Sequence, residues 1–174
     1  MEYIIEPAKL GDEEVLAYIQ TESWKAAFCD ILSREVLERC TNVEKATEMY
    51  KGLLEQKIGN GYLLKAEGTP HAIAWWSATR EVDMHGFAEL ICIHSLADKW
   101  RMGYGSKLMD RVLKDISNEG YSKVMLWVFA ENVRARAFYE KHGFVVNGRE
   151  TRNFGATEVC YELEIGERHS FKSA

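Results

Sequence analysis

The sequence predicts an α+β, or mixed α/β, domain that folds around one central sheet. Short β-rich runs separated by Gly, Pro and charged residues occupy positions 61–93, which indicates consecutive antiparallel strands. From position 103 onward, helical and extended patterns alternate. A length of 174 residues and an apolar fraction of 47% suit a single domain over residues 1–174.

The first third of the chain is predicted to be mainly helical. After a strand at residues 3–5, acidic side chains open a helix at residue 10 that runs to residue 28. Ser33 can cap a short helix, because its hydroxyl can accept a hydrogen bond from a free amide of the first turn. A longer helix follows over residues 43–54, where apolar residues recur at helical spacing.

The rest of the chain combines strands with two helices. The helix at 103–119 carries one apolar stripe, and a second helix begins after Asn132 and ends at Gly143. The continuous apolar run at 123–129 predicts a strand covered on both faces. The other predicted strands lie at residues 62–64, 71–76, 87–93, 144–147 and 158–165.

Composition and charge exclude several classes of function. Lys and Arg total 22 against 27 Asp and Glu, so the net charge is −5, which argues against a broad surface for nucleic acid or an anionic membrane. The apolar run at 124–130 is far shorter than the roughly 20 residues that cross a bilayer. The acidic N-terminal segment lacks the pattern of a signal peptide, so we expect a cytoplasmic protein without a membrane partner.

The cysteines do not form a recognisable site. The four cysteines (Cys29, Cys40, Cys92 and Cys160) contain no C-x-x-C pair, so neither a metal centre nor a disulfide framework is expected. Because free cysteine is among the most buried residue types, we expect reduced, buried and inert thiols.

A glycine turn between a predicted strand and a predicted helix is the most informative local feature. Gly103 and Gly105 allow close approach of the main chain, and Arg101 and Lys107 add positive charge at the helix N-terminus. Such a turn suits a phosphate or pyrophosphate. The spacing matches neither a Walker loop nor the dinucleotide fingerprint. A plain tight connection between strand and helix is the alternative interpretation of this turn.

Two segments in the right order resemble the GNAT superfamily of acyl-CoA N-acetyltransferases. The first joins the run at 88–95 to the glycine turn, and the second is the run at 131–144, which matches the family pattern Asn-x-x-Ala-x-x-Phe-Tyr-x-x-x-Gly-Phe. The segment at 23–32 is similar to one branch of the family. The resemblance implies a mostly antiparallel central sheet with a splayed fourth and fifth strand pair and helices on both faces.

The resemblance also implies acetyl-CoA as cosubstrate. Trp100 departs from the family, which has Arg or Gln at the first place of the turn. Because most phosphate contacts there come from backbone N–H groups, the departure should weaken binding only modestly. Arg134 and Arg136 could reach the 3′-phosphate of the nucleotide, but they are interpreted as solvated helix charges and are not counted among the site residues. The residues expected to bind acetyl-CoA, many through main-chain atoms, are Ile93, His94, Ser95, Trp100, Arg101, Met102, Gly103, Tyr104, Gly105, Ser106, Asn132, Phe138 and Tyr139.

The implied reaction moves an acetyl group directly to an amine of a small molecule or a peptide. An amine with a pKa near 10.4 must lose a proton, and Glu89 is the first candidate base, with His94 or water as alternatives. Tyr139 corresponds to the family's general acid for the departing thiolate. The backbone N–H of Ser95 is expected to stabilise the oxyanion.

The acceptor amine is less well defined by the sequence. The pocket is expected near Trp24, Phe28, the turn at 153–156 and one of Trp75 and Trp76, since adjacent strand residues point to opposite faces. Family members often pair through late strands, so a homodimer is expected from the resemblance. Two alternatives are an inactive acyl-CoA sensor and an interaction domain that binds a partner through the first helices.

Overall fold

The computed structural model describes residues 1–166. Seven strands form one sheet in the order β1-β2-β3-β4-β5-β7-β6. The strands are β1 (Tyr3–Pro7), β2 (Asn60–Ala66), β3 (Thr69–Ala78), β4 (Phe87–Ser95), β5 (Lys123–Phe129), β6 (Val145–Asn153) and β7 (Ala156–Glu164). The helices are α1 (Glu13–Phe28), α2 (Arg34–Cys40), α3 (Val43–Glu55), α4 (Tyr104–Asn118) and α5 (Val133–Lys141).

Helices cover both faces of the sheet. On one face α1 and α3 bury a cluster in which Leu16, Ile19 and Tyr50 pack with Ile73 and Trp75 of β3. On the other face, the apolar stripe of α4 packs against alternate residues of β2 to β5. The α+β class with a mostly antiparallel sheet is therefore confirmed.

The fourth and fifth strands separate soon after they begin. They are the one parallel pair in the described sheet, and their register covers only Phe87 to Glu89 of β4 against Lys123 to Met125 of β5. Beyond this point β4 continues beside β3, and β5 continues beside β7. The predicted splay is confirmed, and it begins immediately after Glu89.

Local sequence signals set most element boundaries. The Ser33 hydroxyl accepts a hydrogen bond from the Val36 amide, and Asn132 Oδ1 accepts one from the Ala135 amide, as the cap predictions required. The first helix begins at Glu13 rather than at residue 10. Strand β6 extends to Asn153, beyond the predicted end at residue 147, because an edge strand needs no apolar residues on its exposed side.

The prediction for the cysteines was wrong in part. All four are free, but only Cys160 is buried, while Cys40 and Cys92 are partly buried. Cys29 is exposed, because it follows the last residue of α1, where the chain leaves the core.

Candidate active site

A cleft of about 1860 Å³ occupies the space that the separation of β4 and β5 opens. Its walls are β4, the turn that follows β4, the N-terminal part of α5, and residues of α1, β6 and β7. The cleft brings together the predicted site residues except Met102, namely Glu89, Ile93, His94, Ser95, Trp100, Arg101, Gly103, Tyr104, Gly105, Ser106, Asn132, Phe138 and Tyr139. Met102 is exposed and does not line the cleft.

The glycine turn has the geometry of an anion site. Gly103 has a φ of 88°, which favours glycine, and it caps α4 with no side-chain hydrogen bond. The first amides of the helix therefore remain free of intrahelical partners at the positive end of its dipole. A Cβ at Gly105 would lie 3.5 Å from the Phe138 ring, so Phe138 packs closely against the first turn of the helix. The Tyr104 side chain is buried beside His71, which leaves its main chain for binding.

Trp100 and Arg134 stack at this end of the cleft. The Arg134 guanidinium carbon lies 3.6 Å from the centre of the Trp100 ring, and Trp100 Nε1 donates a hydrogen bond to the Ser95 carbonyl at 3.1 Å. Desolvation lowers the pKa of Arg134, and the nearby charge of Arg101 lowers it further. Arg134 is exposed, as a solvated helix charge would be, but it also lines the cleft and rests on the Trp100 ring. Arg136 is partly buried, and it donates hydrogen bonds to the Tyr161 hydroxyl and to the Ala130 carbonyl.

Glu89 lies where the two strands separate, and its carboxylate is paired with Arg80. Only 2% of Glu89 is exposed. The Arg80 amide donates to Oε1 at 3.2 Å, and the Arg80 guanidinium donates to Oε2, with Nε at 2.9 Å. The Glu89 side chain lies on the same face of the sheet as Met125, its partner in the parallel register. Because alternate residues of a strand share a face, Trp127 and Phe129 lie on that face as well.

Tyr139 on α5 presents its phenol to the cleft. The ring packs against Phe144 and Phe138, which fixes its position. Burial raises the pKa of Tyr139 well above its usual range, and the proximity of Cys92 adds to this rise. Within residues 1–166 the hydroxyl makes no hydrogen bond, so its proton is available to a group that enters the cleft.

His94 is held as a neutral imidazole. Burial lowers its pKa to about 4, and the positive charge of Arg134 contributes. Trp24 Nε1 donates to His94 Nε2 at 3.3 Å, so the lone pair of that nitrogen is already engaged. Proton transfer to His94 would require this hydrogen bond to break, which disfavours His94 as the base.

Ser95 lies too far along β4 to serve a reaction beside Glu89. It is six residues beyond Glu89, or about 20 Å along an extended strand at roughly 3.3 Å per residue. Ser95 is therefore not at the point of strand separation, where the oxyanion contact was expected. Ile91 is the extra residue in a bulge of β4 opposite Trp75 and Trp76, and it lies directly beside the point of separation.

Aromatic side chains line the wall of the cleft formed by α1 and the β6–β7 turn. The Trp24 ring meets Phe28 at 5.0 Å and Phe154 at 5.6 Å, both edge to face, and Phe28 meets Phe129 at 5.0 Å. Trp75 lines the cleft whereas Trp76 packs in the α4 core, so the prediction that only one of them faces the cleft is confirmed.

Charge is divided between the two parts of the cleft. The acidic side chains come from the β3–β4 loop and from strands, and they are Glu81, Glu89, Glu150 and Glu158. Apart from Arg80, the cations come from the turn after β4 and from α5, and they are Lys99, Arg101, Arg134 and Lys141. The part near the turn is therefore positive, as a phosphate group requires, and the part near the strands is predominantly acidic.

Asn132 and Ser106 complete the part of the cleft near the turn. Asn132 Oδ1 caps α5, while its amide NH2 makes no hydrogen bond within residues 1–166. The Ser106 hydroxyl lies 3.1 Å from His142 Nε2. A cap and a ligand contact are compatible at Asn132, because they use different ends of the same amide.

Sequence reasoning missed several residues of the site. Arg80 and Glu158 are far from the motifs in sequence and reach the cleft through the β3–β4 and β6–β7 hairpins. Arg134 carried a usable signal, since it stands two residues after the Asn132 cap on a helix that begins at the cleft.

Between residues 1 and 166 no cluster of three or more His, Cys, Asp or Glu side chains is arranged to hold a metal ion. No helix in the same part of the chain is long and apolar enough to span a bilayer.

Comparisons with known proteins agree with this geometry. The PaiA N-acetyltransferase of Thermoplasma acidophilum, solved with coenzyme A, superposes with a TM-score of 0.79 at 20% identity over 94% of this chain and 99% of that one. YncA, a putative acetyltransferase of Salmonella typhimurium solved with acetyl-CoA, gives a TM-score of 0.72 at 15% identity over 99% of both chains. No curated protein sequence matches significantly. The sequence model of the acetyltransferase (GNAT) family matches residues 22–144, and the chain belongs to that family.

Proposed function

We propose that the protein is an N-acetyltransferase that moves an acetyl group from acetyl-CoA to an amine of a small molecule or a peptide by direct transfer. The observation that carries the proposal is the separation of β4 from β5 after Glu89. It opens one cleft between a phosphate-binding turn and an acidic, aromatic pocket. A carboxylate and a protonated phenol line that cleft, and both belong to the chemistry of amide formation.

The turn and the unpaired edge of β4 fit acetyl-CoA. Free amides at the start of α4, together with Arg101 and Arg134, suit the phosphates. Main-chain groups of Ile93 and His94, on the edge that β5 leaves unpaired, suit the amides of the pantetheine arm. Acetyl-CoA would supply the activated thioester. The structures of PaiA with coenzyme A and of YncA with acetyl-CoA support this choice.

Glu89 is the proposed base. An acceptor ammonium with an ordinary pKa near 10.4 gives up a proton before attack, directly or through water. Glu89 is buried at the point where the strands separate, and Arg80 fixes its orientation. The engaged lone pair of His94 favours Glu89 over His94 for this role.

Tyr139 is the proposed acid for the departing thiolate. Its raised pKa keeps the phenol protonated at neutral pH, so its O–H can donate a hydrogen bond to the sulfur as the C–S bond breaks. Because a thiolate is a weaker base than the phenolate of Tyr139, this hydrogen bond stabilises the departing thiolate, and any proton that Tyr139 gives up returns to it from water. A backbone N–H of the bulged stretch at 91–93 is the proposed oxyanion contact, since this stretch lies between Glu89 and the splayed edge.

Direct transfer is favoured over an acylated cysteine. Cys92 stands three residues beyond Glu89 in β4. Burial raises the pKa of its thiol to about 12, so the nucleophilic thiolate is scarce at neutral pH.

The pocket favours a cationic acceptor. Its acidic lining attracts the ammonium form that dominates in water, and Trp24, Phe28 and Phe154 offer faces for apolar and cationic groups.

The decisive experiment has two stages. Acetyl-CoA is titrated calorimetrically into protein freed of endogenous CoA, and thiol release is then measured with a panel of primary amines. Micromolar binding, about −8 kcal/mol, followed by amine-dependent thiol release supports the proposal. Binding without turnover would favour an acyl-CoA sensor, and no binding up to millimolar would favour an interaction domain.

A further inference from the structure

Arg134 is a cation in the cleft without an anionic partner. Within residues 1–166 it forms no ion pair and no hydrogen bond, and its close contact is the Trp100 ring. Arg136, two residues along the same helix, is by contrast held by the Tyr161 hydroxyl and the Ala130 carbonyl at 2.9 and 3.0 Å. The N–H groups of Arg136 therefore already have hydrogen-bond acceptors within the protein, whereas those of Arg134 remain available to a ligand.

Trp100 fixes where the Arg134 guanidinium lies. Its Nε1 is tied to the Ser95 carbonyl at 3.1 Å, which fixes the indole beside the end of β4. The guanidinium carbon lies 3.6 Å from the centre of this ring, so the Arg134 head group rests on a rigid surface. Such an arrangement costs little side-chain entropy when a planar or tetrahedral oxyanion binds.

The surroundings of Arg134 are positively charged. Arg101 adjoins Trp100, and the N-terminus of α4 lines the same part of the cleft. Lys99 lies there as well, although its ammonium also pairs with Glu67 at 3.5 Å. Arg101 has a φ of 66°, a left-handed conformation that is unfavourable for a residue with a side chain. An assembly of like charges on a strained turn is stabilised when an anion binds there.

We propose that Trp100 and Arg134 form a phosphate-binding pair for the cosubstrate, in which Trp100 positions the Arg134 guanidinium against a phosphate of acetyl-CoA. The pair compensates for the departure at Trp100: the charge that a residue of the turn would supply comes instead from α5. This inference rests on the proposed use of acetyl-CoA. The phosphate is either the pyrophosphate or the 3′-phosphate, and both present oxyanions that a guanidinium binds with paired N–H groups.

Binding calorimetry with CoA and with 3′-dephospho-CoA tests the pair. We expect Arg134→Ala to weaken CoA binding roughly 10- to 100-fold, the range for hydrogen bonds to a charged group. An equal loss with 3′-dephospho-CoA identifies the pyrophosphate, whereas a loss confined to CoA identifies the 3′-phosphate. Lys45→Met, which removes an exposed cation of α3 outside the cleft lining, is the matched control and should change affinity less than about threefold.

Variants of Trp100 separate positioning from folding. We expect Trp100→Phe to keep the platform and bind CoA within about threefold of wild type, and Trp100→Ala to lose roughly 10-fold. In the double-mutant cycle, Trp100→Ala should add little in an Arg134→Ala background, because the residues act as one unit. Trp100→Arg in that background should recover most of the affinity by restoring a cation to the turn.

Two results would overturn the inference, and they differ from a failure of the proposed function. Wild-type affinity in Arg134→Ala for both ligands excludes the pair. Additive losses in the cycle exclude Trp100 as a positioning residue. If Trp100→Ala fails to fold, Trp100→Leu takes its place in the cycle, and the Arg134 series still decides whether the guanidinium binds a phosphate. A wild-type protein that binds neither ligand overturns the proposed function, and the inference with it.

Discussion

The two oxygens of the Glu89 carboxylate accept hydrogen bonds from different parts of Arg80, Oε1 from the backbone amide and Oε2 from the guanidinium. Glu89 is almost completely buried, whereas 67% of the Arg80 side chain is exposed. The ion pair therefore extends from the buried bottom of the cleft to the solvent-exposed surface. It provides the compensation that a buried carboxylate needs and also determines the direction in which its oxygens point.

Removal of Arg80 should destabilise the protein. We expect Arg80→Met to lower the free energy of unfolding by about 1–2 kcal/mol, because it leaves a buried carboxylate without its cation. The loss is no larger because solvent screens the exposed Arg80 side chain. Urea denaturation measures the change. The double variant Arg80→Met/Glu89→Gln should recover part of it, because no buried charge is left unpaired. An unchanged midpoint in Arg80→Met would show that the pair contributes nothing.

Glu89→Gln should lower kcat about 10²-fold or more at pH 7. As the pH rises toward the amine pKa near 10.4, more acceptor arrives neutral, so the need for a base and the deficit of the variant should both decrease. Thiol-release assays from pH 6.5 to 9.5 measure the ratio of wild type to variant. Glu164→Gln, exposed at the end of β7, should match wild type. A pH profile of Glu89→Gln identical to that of wild type would exclude Glu89 as the base.

Tyr139→Phe should lower kcat by about 10- to 10³-fold, while the dissociation constant of acetyl-CoA changes little. A free tyrosine ionises near pH 10, and the raised pKa keeps Tyr139 protonated beyond that pH. Ionisation of Tyr139 should therefore cause no loss of wild-type kcat below about pH 10. Single-turnover kinetics and calorimetry measure the two quantities, with Tyr18→Phe on the exposed side of α1 as control. An unchanged rate of the chemical step would remove Tyr139 from the mechanism.

Two Gly→Ala substitutions should shift stability in opposite directions. A Cβ on Gly61 would lie 2.2 Å from the Trp75 ring, which Tyr50 and the cores of α1 and α3 hold in place. Gly61→Ala should therefore cost about 1–3 kcal/mol. Gly52 lies inside α3 with its nearest neighbour at 3.9 Å, so Gly52→Ala should add roughly 0.5–1 kcal/mol. Thermal and urea unfolding measure both, and a stabilised Gly61→Ala would contradict the contact with Trp75.

His94 should make stability depend on pH in the acidic range. Its pKa is about 4 in the folded state and near 6.5 when unfolded, so the unfolded chain binds more protons between these values. The free energy of unfolding should therefore fall as the pH drops from about 6.5 to 4. We expect the stability of wild type relative to His94→Gln to decrease by about 1–3 kcal/mol over this window. Urea denaturation at pH 7 and 4.5 measures it, and the paired comparison cancels His71 and His142, whose pKa values burial also lowers. Equal slopes for both proteins would contradict the assignment.

Local signals predicted the elements of the fold well. The caps at Ser33 and Asn132 form the predicted hydrogen bonds, and the apolar stripe of α4 lies in the core. These features depend on residues within one or two turns of each other, so the sequence contains the whole cause. Strand β6 was underestimated because its edge position, which relaxes the apolar pattern, depends on the order of strands in the sheet.

The site was predictable only where its residues belong to one motif. The turn at Gly103 and the helix with Tyr139 are continuous segments, and both line the cleft. Arg80 and Glu158 were missed because separate hairpins bring them to the cleft. Ser95 was expected at the point of strand separation, whereas the register between β4 and β5 ends at Glu89, six residues earlier.

The sequence by itself determined the α+β class, the glycine turn, the helix caps and the order of the motifs, which is the order typical of the family. The tertiary structure alone decided that Glu89 is paired with Arg80, that His94 is neutral beside Trp24, and that Arg134 rests on Trp100. The physical reason is range: hydrogen-bonded turns and helical periods are set by neighbouring residues, whereas burial and ion pairing arise from segments that meet only after the sheet has formed.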